Sequence, residues 1–289
     1  ANRGYPDTFV QQIDHEIGPS KGWPNISYFT SGKISDSTLV DEIHAEMDYV
    51  MDAFFFAAKK ETYNLIMIDY PVMDRLGHAF LGLRASSQSI QKHYQQALNR
   101  LEKDLSRIED YAKLNEYELI ITSGHGFSPL HTSIDLDEIL QEAGVENDTK
   151  KNDWQVLGVP GKVSAGIYLN DQLSQVDQEL VLKKLEDALK TVYHSTSQQT
   201  VFEEILRKDA LKDIGLLNKN AGDLYLLLKP GFIFEDNDGH IFGIPTFKGD
   251  HGYSLKHEDG YGILIADTEC KPCLSTDIAK IIEKKLQLN

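Results

Sequence analysis

The side chains best suited to chemistry fall in three short segments, each pairing a histidine with a glycine. They are Asp74-Arg75-Leu76-Gly77-His78, Ser123-Gly124-His125-Gly126-Phe127 and Gly249-Asp250-His251-Gly252-Tyr253. An imidazole nitrogen serves a borderline divalent metal when a tight turn aims it at a shared point. Glycine, lacking a Cβ, accepts such turns. Asp74 and His78 are four residues apart just after an apolar run, so a first helical turn could place both on one face, converging on one ion. The alternative is an Asp N-cap followed by a partly exposed histidine. His131, in Ser128-Pro129-Leu130-His131, is open to two readings, a place at the rim of a pocket or a structural role. Cys270 and Cys273 form a C-x-x-C without a second Cys/His pair at zinc-finger spacing, so they are read as loop cysteines open to a local disulfide.

The elements that must position these residues alternate in type. Leu39, Ile43, Met47, Val50, Met51, Phe54 and Phe55 recur at helical spacing, which predicts a helix from Ser37 to Lys60 capped by Ser37 or Asp36. Tyr63–Asp69 is almost wholly apolar, the pattern of a strand covered on both faces. A helix is predicted over 87–114, strands over 117–122 and 261–266, and a last helix over 275–286. This alternation argues for a doubly wound, mainly parallel α/β sheet with helices on both faces, its ligands gathered beyond the carboxyl ends of the strands. Between Asp135 and Lys248 the pattern changes to strands at 165–170 and 223–229, a helix over 172–192 and a helical stretch over 200–212. The expected organisation is an α/β core from 1–131 and 249–289, with 132–248 as an inserted α+β lobe.

Bulk properties narrow the partners. With 29 basic and 45 acidic residues, the net charge of −16 argues against a nucleic-acid backbone as partner. A small phosphorylated substrate remains compatible, because bound cations reverse the local field. At 41% hydrophobic and 26% charged the chain reads as a soluble globular protein. No membrane segment or signal peptide is visible, so a cytoplasmic location is expected, or an extracytoplasmic one if a signal lies upstream.

Taken together, the three histidine segments resemble the metal-binding motifs of the alkaline phosphatase superfamily, most closely its type I phosphodiesterase/nucleotide pyrophosphatase branch. The resemblance covers nearly the whole chain. Asp74 and His78 match Asp-x-x-Gly-His, and His251 matches the third ligand of the same metal site. Two imidazoles and a carboxylate are zinc-like donors that leave a fourth position for substrate or water, with manganese as the other candidate. His125 matches the histidine of the Asp-His-Gly motif that helps hold a second metal, but Gly124 replaces its carboxylate. A natural variant, an inactivating substitution and a degenerate site all stay open as the origin of Gly124. The neighbouring Thr122 and Ser123 hydroxyls are poor substitutes for a carboxylate.

The resemblance implies two-step phosphoryl transfer through a Ser or Thr nucleophile after an early metal-binding Asp. No such segment is visible here. Thr8 echoes it faintly, but its setting suits a helix N-cap or turn. The chain is therefore expected to be the C-terminal two-thirds of a larger enzyme, inactive by itself. The implied activity is hydrolysis of phosphodiester or nucleotide pyrophosphate bonds. The alternatives are a non-catalytic binding domain of the same fold, or another superfamily activity such as phosphomonoesterase or sulfatase.

Overall fold

The computed structural model describes residues 6–267 and 273–288. Cys270 lies outside the described residues. The chain divides into two compact units. One comprises Ala1–Ala79, Leu83–Gly124 and Gly262–Asn289, the other Phe80–Gly82 and His125–Tyr261. The boundaries expected at 131/132 and 248/249 both fall inside the second unit.

The first unit is mostly helical. Its longest helices, Asp36–Lys60 and Gln88–Leu114, start at Ser35 and Ser87, whose hydroxyls accept from the backbone N–H groups of Thr38 and Ile90. A serine at this position satisfies one of the donors that a helix start leaves open. Ser35, rather than Ser37 or Asp36, is thus the cap of the first. Apolar residues at helical spacing then bring Met51, Phe54 and Ala58 against Ile108, with Leu105 and Tyr111 around them. Thr8 lies inside the first turn of the Asp7–Glu16 helix, whose cap is Pro6, so it is not the cap residue.

The apolar run at 63–69 does not form a strand among the described residues. Ile66 and Ile68 pack on the helical core, together with the following Tyr70. Leu65 and Met67, 45% and 77% exposed, point the other way. A one-sided contact replaces the two-sided burial expected. Tyr117 fixes the segment, donating to the Tyr63 carbonyl at 2.6 Å and accepting from the Tyr63 N–H at 3.1 Å. The strands expected at 117–122 and 261–266 shrink to Ile121–Thr122 and Leu264–Ile265, which pair antiparallel.

The second unit holds a four-stranded antiparallel sheet with spatial order Val156–Pro160, Ser164–Leu169, Leu224–Leu228, Phe202–Arg207. The Gln175–Thr191 helix, capped by Ser174, turns Val181, Leu185 and Leu189 inward at four-residue intervals. They join Ile167, Leu224 and Leu226 in one core. The helical stretch expected at 200–212 is instead the Phe202–Arg207 strand followed by a short 3-10 turn over Lys208–Lys212. Pairing with Leu224–Leu228 overrides the local helical preference of Glu, Leu and Arg. Thr132–Ile134 lies between Phe232–Phe234, parallel to it, and Phe242–Gly243, antiparallel.

The described sheets are thus small and mixed, and the α/β content stands without the single doubly wound parallel sheet expected. Strands of two or three residues carry too little apolar surface to be covered on both faces. Among the described residues no helix is long and apolar enough to cross a membrane.

Candidate metal centre

Each unit holds its own set of metal-type donors. In the first, Val72–Phe80 forms a helix with Asp74 in its first turn and His78 one turn later. Four-residue spacing stacks the two side chains on one face, with Asp74 Oδ1 3.5 Å from His78 Nε2. Asp74 is the third residue of the helix and His78 is buried, so the reading of an N-cap beside a partly exposed histidine does not hold.

Arg75 holds Asp74 from the other side. Arg75 is 4% exposed, and its guanidinium donates from Nη1 to Asp74 Oδ2 at 2.7 Å and grips Glu46 from Nε at 3.1 Å and Nη2 at 3.0 Å. The Trp23 ring covers it at 3.4 Å. The fork leaves Asp74 little rotational freedom and directs its Oδ1 toward His78.

In the second unit a short antiparallel pair brings the other motifs together. Gly249 lies opposite Pro129 and Asp250 opposite Ser128, which sets His251 beside the chain that carries His125 and Phe127. The two imidazoles stack in parallel, centroids 3.5 Å apart and planes 7° apart, and the Phe127 ring meets His251 edge-on at 5.1 Å.

The flanking glycines are needed here for backbone reasons. Gly252 has φ +95°. A Cβ on Gly126 would overlap the Asp259 carbonyl and lie 2.7 Å from the Tyr261 oxygen. Gly124 is different, since a Cβ there meets nothing within 4 Å.

Asp250 is 1% exposed. Its Oδ1 accepts from the His251 N–H at 2.8 Å, and its Oδ2 has no hydrogen-bond partner. The Lys162 ammonium lies 3.4 Å from Oδ2. Burial, then the Asp250 charge, pushes the Tyr253 phenol up, and that hydroxyl donates to the Phe232 carbonyl at 2.8 Å. A buried carboxylate oxygen without a hydrogen bond, beside two stacked imidazoles, fits a divalent cation as partner.

The remaining sequence candidates take structural places. Ser123 Oγ accepts from the Ile263 N–H at 2.8 Å and Thr122 Oγ1 donates to the Ser123 carbonyl, so both hydroxyls serve the loop. His131 stacks on His194 at 6.1 Å, meets the edge of Phe232 at 4.8 Å, and pairs through Nδ1 with Thr132 Oγ1. Burial, reinforced by His194, lowers its pKa. This is the structural reading of His131.

Sequence reasoning missed Asp250, Arg75, Glu46 and Trp23. Asp250 and Arg75 each adjoin a candidate ligand, which was the available signal. Nothing in sequence ties Glu46 or Trp23 to Asp74.

Residues 10–254 match the type I phosphodiesterase / nucleotide pyrophosphatase family. No curated protein matches the sequence significantly. Among solved structures, human ectonucleotide pyrophosphatase / phosphodiesterase 5 is similar with TM-score 0.56 and 18% identity, over 86% of this chain and 59% of that one. An inactive form of the murine protein in complex with AMP gives 0.52 and 19%, over 89% and 60%. Phosphonoacetate hydrolase from Sinorhizobium meliloti 1021, in complex with phosphonoacetate, gives 0.56 and 13%, over 95% and 63%. At these identities the likeness is one of fold. The chain spans about three fifths of the length of these structures.

Proposed function

The chain belongs to the type I phosphodiesterase / nucleotide pyrophosphatase family, and from that premise we propose that it is part of a divalent-metal-dependent hydrolase of phosphodiester or nucleotide pyrophosphate bonds. Asp74, His78 and His251 hold one ion, zinc by the chemistry of the donors, with manganese as the alternative. His125 serves a second ion. The observation that carries this reading is the parallel stack of His125 on His251, which sets two imidazole donors side by side. The i, i+4 pairing of Asp74 with His78 supports it.

A bound divalent ion supplies polarisation of a phosphoryl oxygen and a more acidic water. The chain's own residues do the positioning. Arg75 and Glu46 fix the Asp74 carboxylate, Gly252 and the Gly249–Asp250 strand set the His251 ring, and Gly126 lets the His125 loop pack on Asp259. The substrate is a small phosphorylated molecule. A nucleotide is favoured, since a relative of this fold has been solved in complex with AMP.

The present chain is inactive by itself on this reading. Thr122 and Ser123 are committed to loop hydrogen bonds, and position 124 has no carboxylate. Gly124 also motivates the second reading, a metal-holding domain that binds nucleotides without turnover.

Calorimetric titration of AMP into the chain, with and without zinc, tests the proposal. Binding that requires zinc and is lost in His251→Ala supports it, and binding indifferent to both overturns it. An aryl phosphodiester assay of the chain and its Gly124→Asp variant separates enzyme from binding domain. Robust turnover by the unaltered chain would overturn its inactivity and make Thr8 the first residue to mutate.

A further inference from the structure

We infer that Asp250 is an additional anionic donor to the divalent ion that His251 holds, and that Lys162 competes with that ion for the same carboxylate. The inference rests on the metal reading above and assigns to Asp250 a part that the motif resemblance does not.

The argument starts from desolvation. Burying an ionised carboxylate is costly unless its oxygens are paired and hydrogen-bonded. Asp250 is 1% exposed, yet only Oδ1 is hydrogen-bonded, to the His251 N–H. Oδ2 is buried without a hydrogen bond, and Lys162 Nζ reaches it only as a long ion pair of 3.4 Å. The lysine is half-exposed and also lies over the Phe247 ring at 4.2 Å, so its ammonium is shared with water and an aromatic face. Such a partner neutralises charge without saturating the oxygen.

The geometry places the carboxylate within reach of the imidazole's ion. Oδ1 is 4.0 Å from His251 Nε2. Two donors on one zinc, each about 2.0–2.2 Å from it, lie within about 4 Å of one another. The ammonium beside Oδ2 and an ion beside Oδ1 then draw on one carboxylate and repel each other.

A purely structural Asp250, stabilising its turn through the His251 N–H and Lys162, predicts something else. Loss of either partner would then loosen the turn and weaken metal binding. If the carboxylate is a donor for which Lys162 competes, the two substitutions act in opposite directions.

The test is zinc affinity of the 289-residue chain, measured by competition with a chromophoric chelator, with far-UV circular dichroism on every variant. Asp250→Asn is expected to weaken zinc binding about 10–100-fold. Lys162→Met, at a half-exposed position, is expected to tighten it about three- to tenfold. Unchanged affinity in Asp250→Asn, or weakening in Lys162→Met, overturns the inference while leaving the metal reading intact. Absence of zinc binding in the unaltered chain overturns both. Should Asp250→Asn fail to fold, Lys162→Met carries the test, a gain supporting the inference and the lack of one overturning it.

Discussion

Replacing Arg75 with alanine is the most informative structural perturbation in the first unit. The change removes three charge-assisted hydrogen bonds, one to Asp74 at 2.7 Å and two to Glu46 at 3.1 and 3.0 Å. It leaves two carboxylates facing each other across a largely buried space. Breaking a buried pair by deleting one partner costs about 3–5 kcal/mol. Asp74 and Glu46 retain some access to solvent, 23% and 15% of their side chains, which places the loss near the low end of that range. The Trp23 ring also loses the guanidinium stacked at 3.4 Å, worth about 0.5–1 kcal/mol at an exposed site. The expected loss is about 3.5–4 kcal/mol in all.

Urea unfolding provides the assay. The chain has two tryptophans, so in a Trp154→Phe background the fluorescence of Trp23 reports on this unit. Arg75→Lys is expected to recover about half of the loss, because an ammonium keeps the charge without the planar fork. Arg75→Ala within about 0.5 kcal/mol of the parent, the range of an ordinary surface substitution, would refute the claim that this assembly holds Asp74 in place.

Three further outcomes are expected. Gly126→Ala should destabilise by more than about 2 kcal/mol, since its Cβ meets backbone oxygens of Asp259 and Tyr261, whereas Gly124→Ala should stay within about 0.5 kcal/mol, and thermal melts of the two compare them directly. The Asp104 carboxyl is held below its ordinary value, because hydrogen bonds from Tyr70 and Arg100 and the Arg100 charge together outweigh burial. A lowered carboxyl contributes stability that is complete above the unfolded value, near 3.8, and is lost as pH falls through the folded one, so Asp104→Asn should flatten acid unfolding measured by circular dichroism below that range. In the second unit Ile167, fully buried under the helix and sheet, should cost about 2–5 kcal/mol as Ile167→Ala in chemical denaturation.

Much of the local structure was legible because it depends on neighbours in sequence. The Asp36–Lys60, Gln88–Leu114 and Gln175–Thr191 helices show their apolar spacing in the chain, and serines stand at their starts. Strand readings fared worse, because a strand exists only with a partner. The 63–69 run has the composition of a buried strand but rests on helices by one face, and 202–207 has helix-favouring residues but pairs with 224–228.

The site divides in the same way. Asp74 and His78 stand out by their four-residue spacing, and His125 and His251 by their glycines. The Glu46 clamp on Arg75 joins residues 29 apart, and the Lys162–Asp250 pair joins residues still further apart, with no pattern linking them. The need for glycine at 126 is likewise visible only once Asp259 is seen against it.

The proposed centre is one divalent ion held by Asp74, His78 and His251. Its most direct measurement is the zinc content of the chain after dialysis against zinc and removal of free metal, compared with the His78→Ala/His251→Ala double variant. About one tightly held equivalent is expected at this site in the parent chain, lost in a double variant that keeps its circular dichroism spectrum. Equal zinc content in the two folded proteins would contradict it.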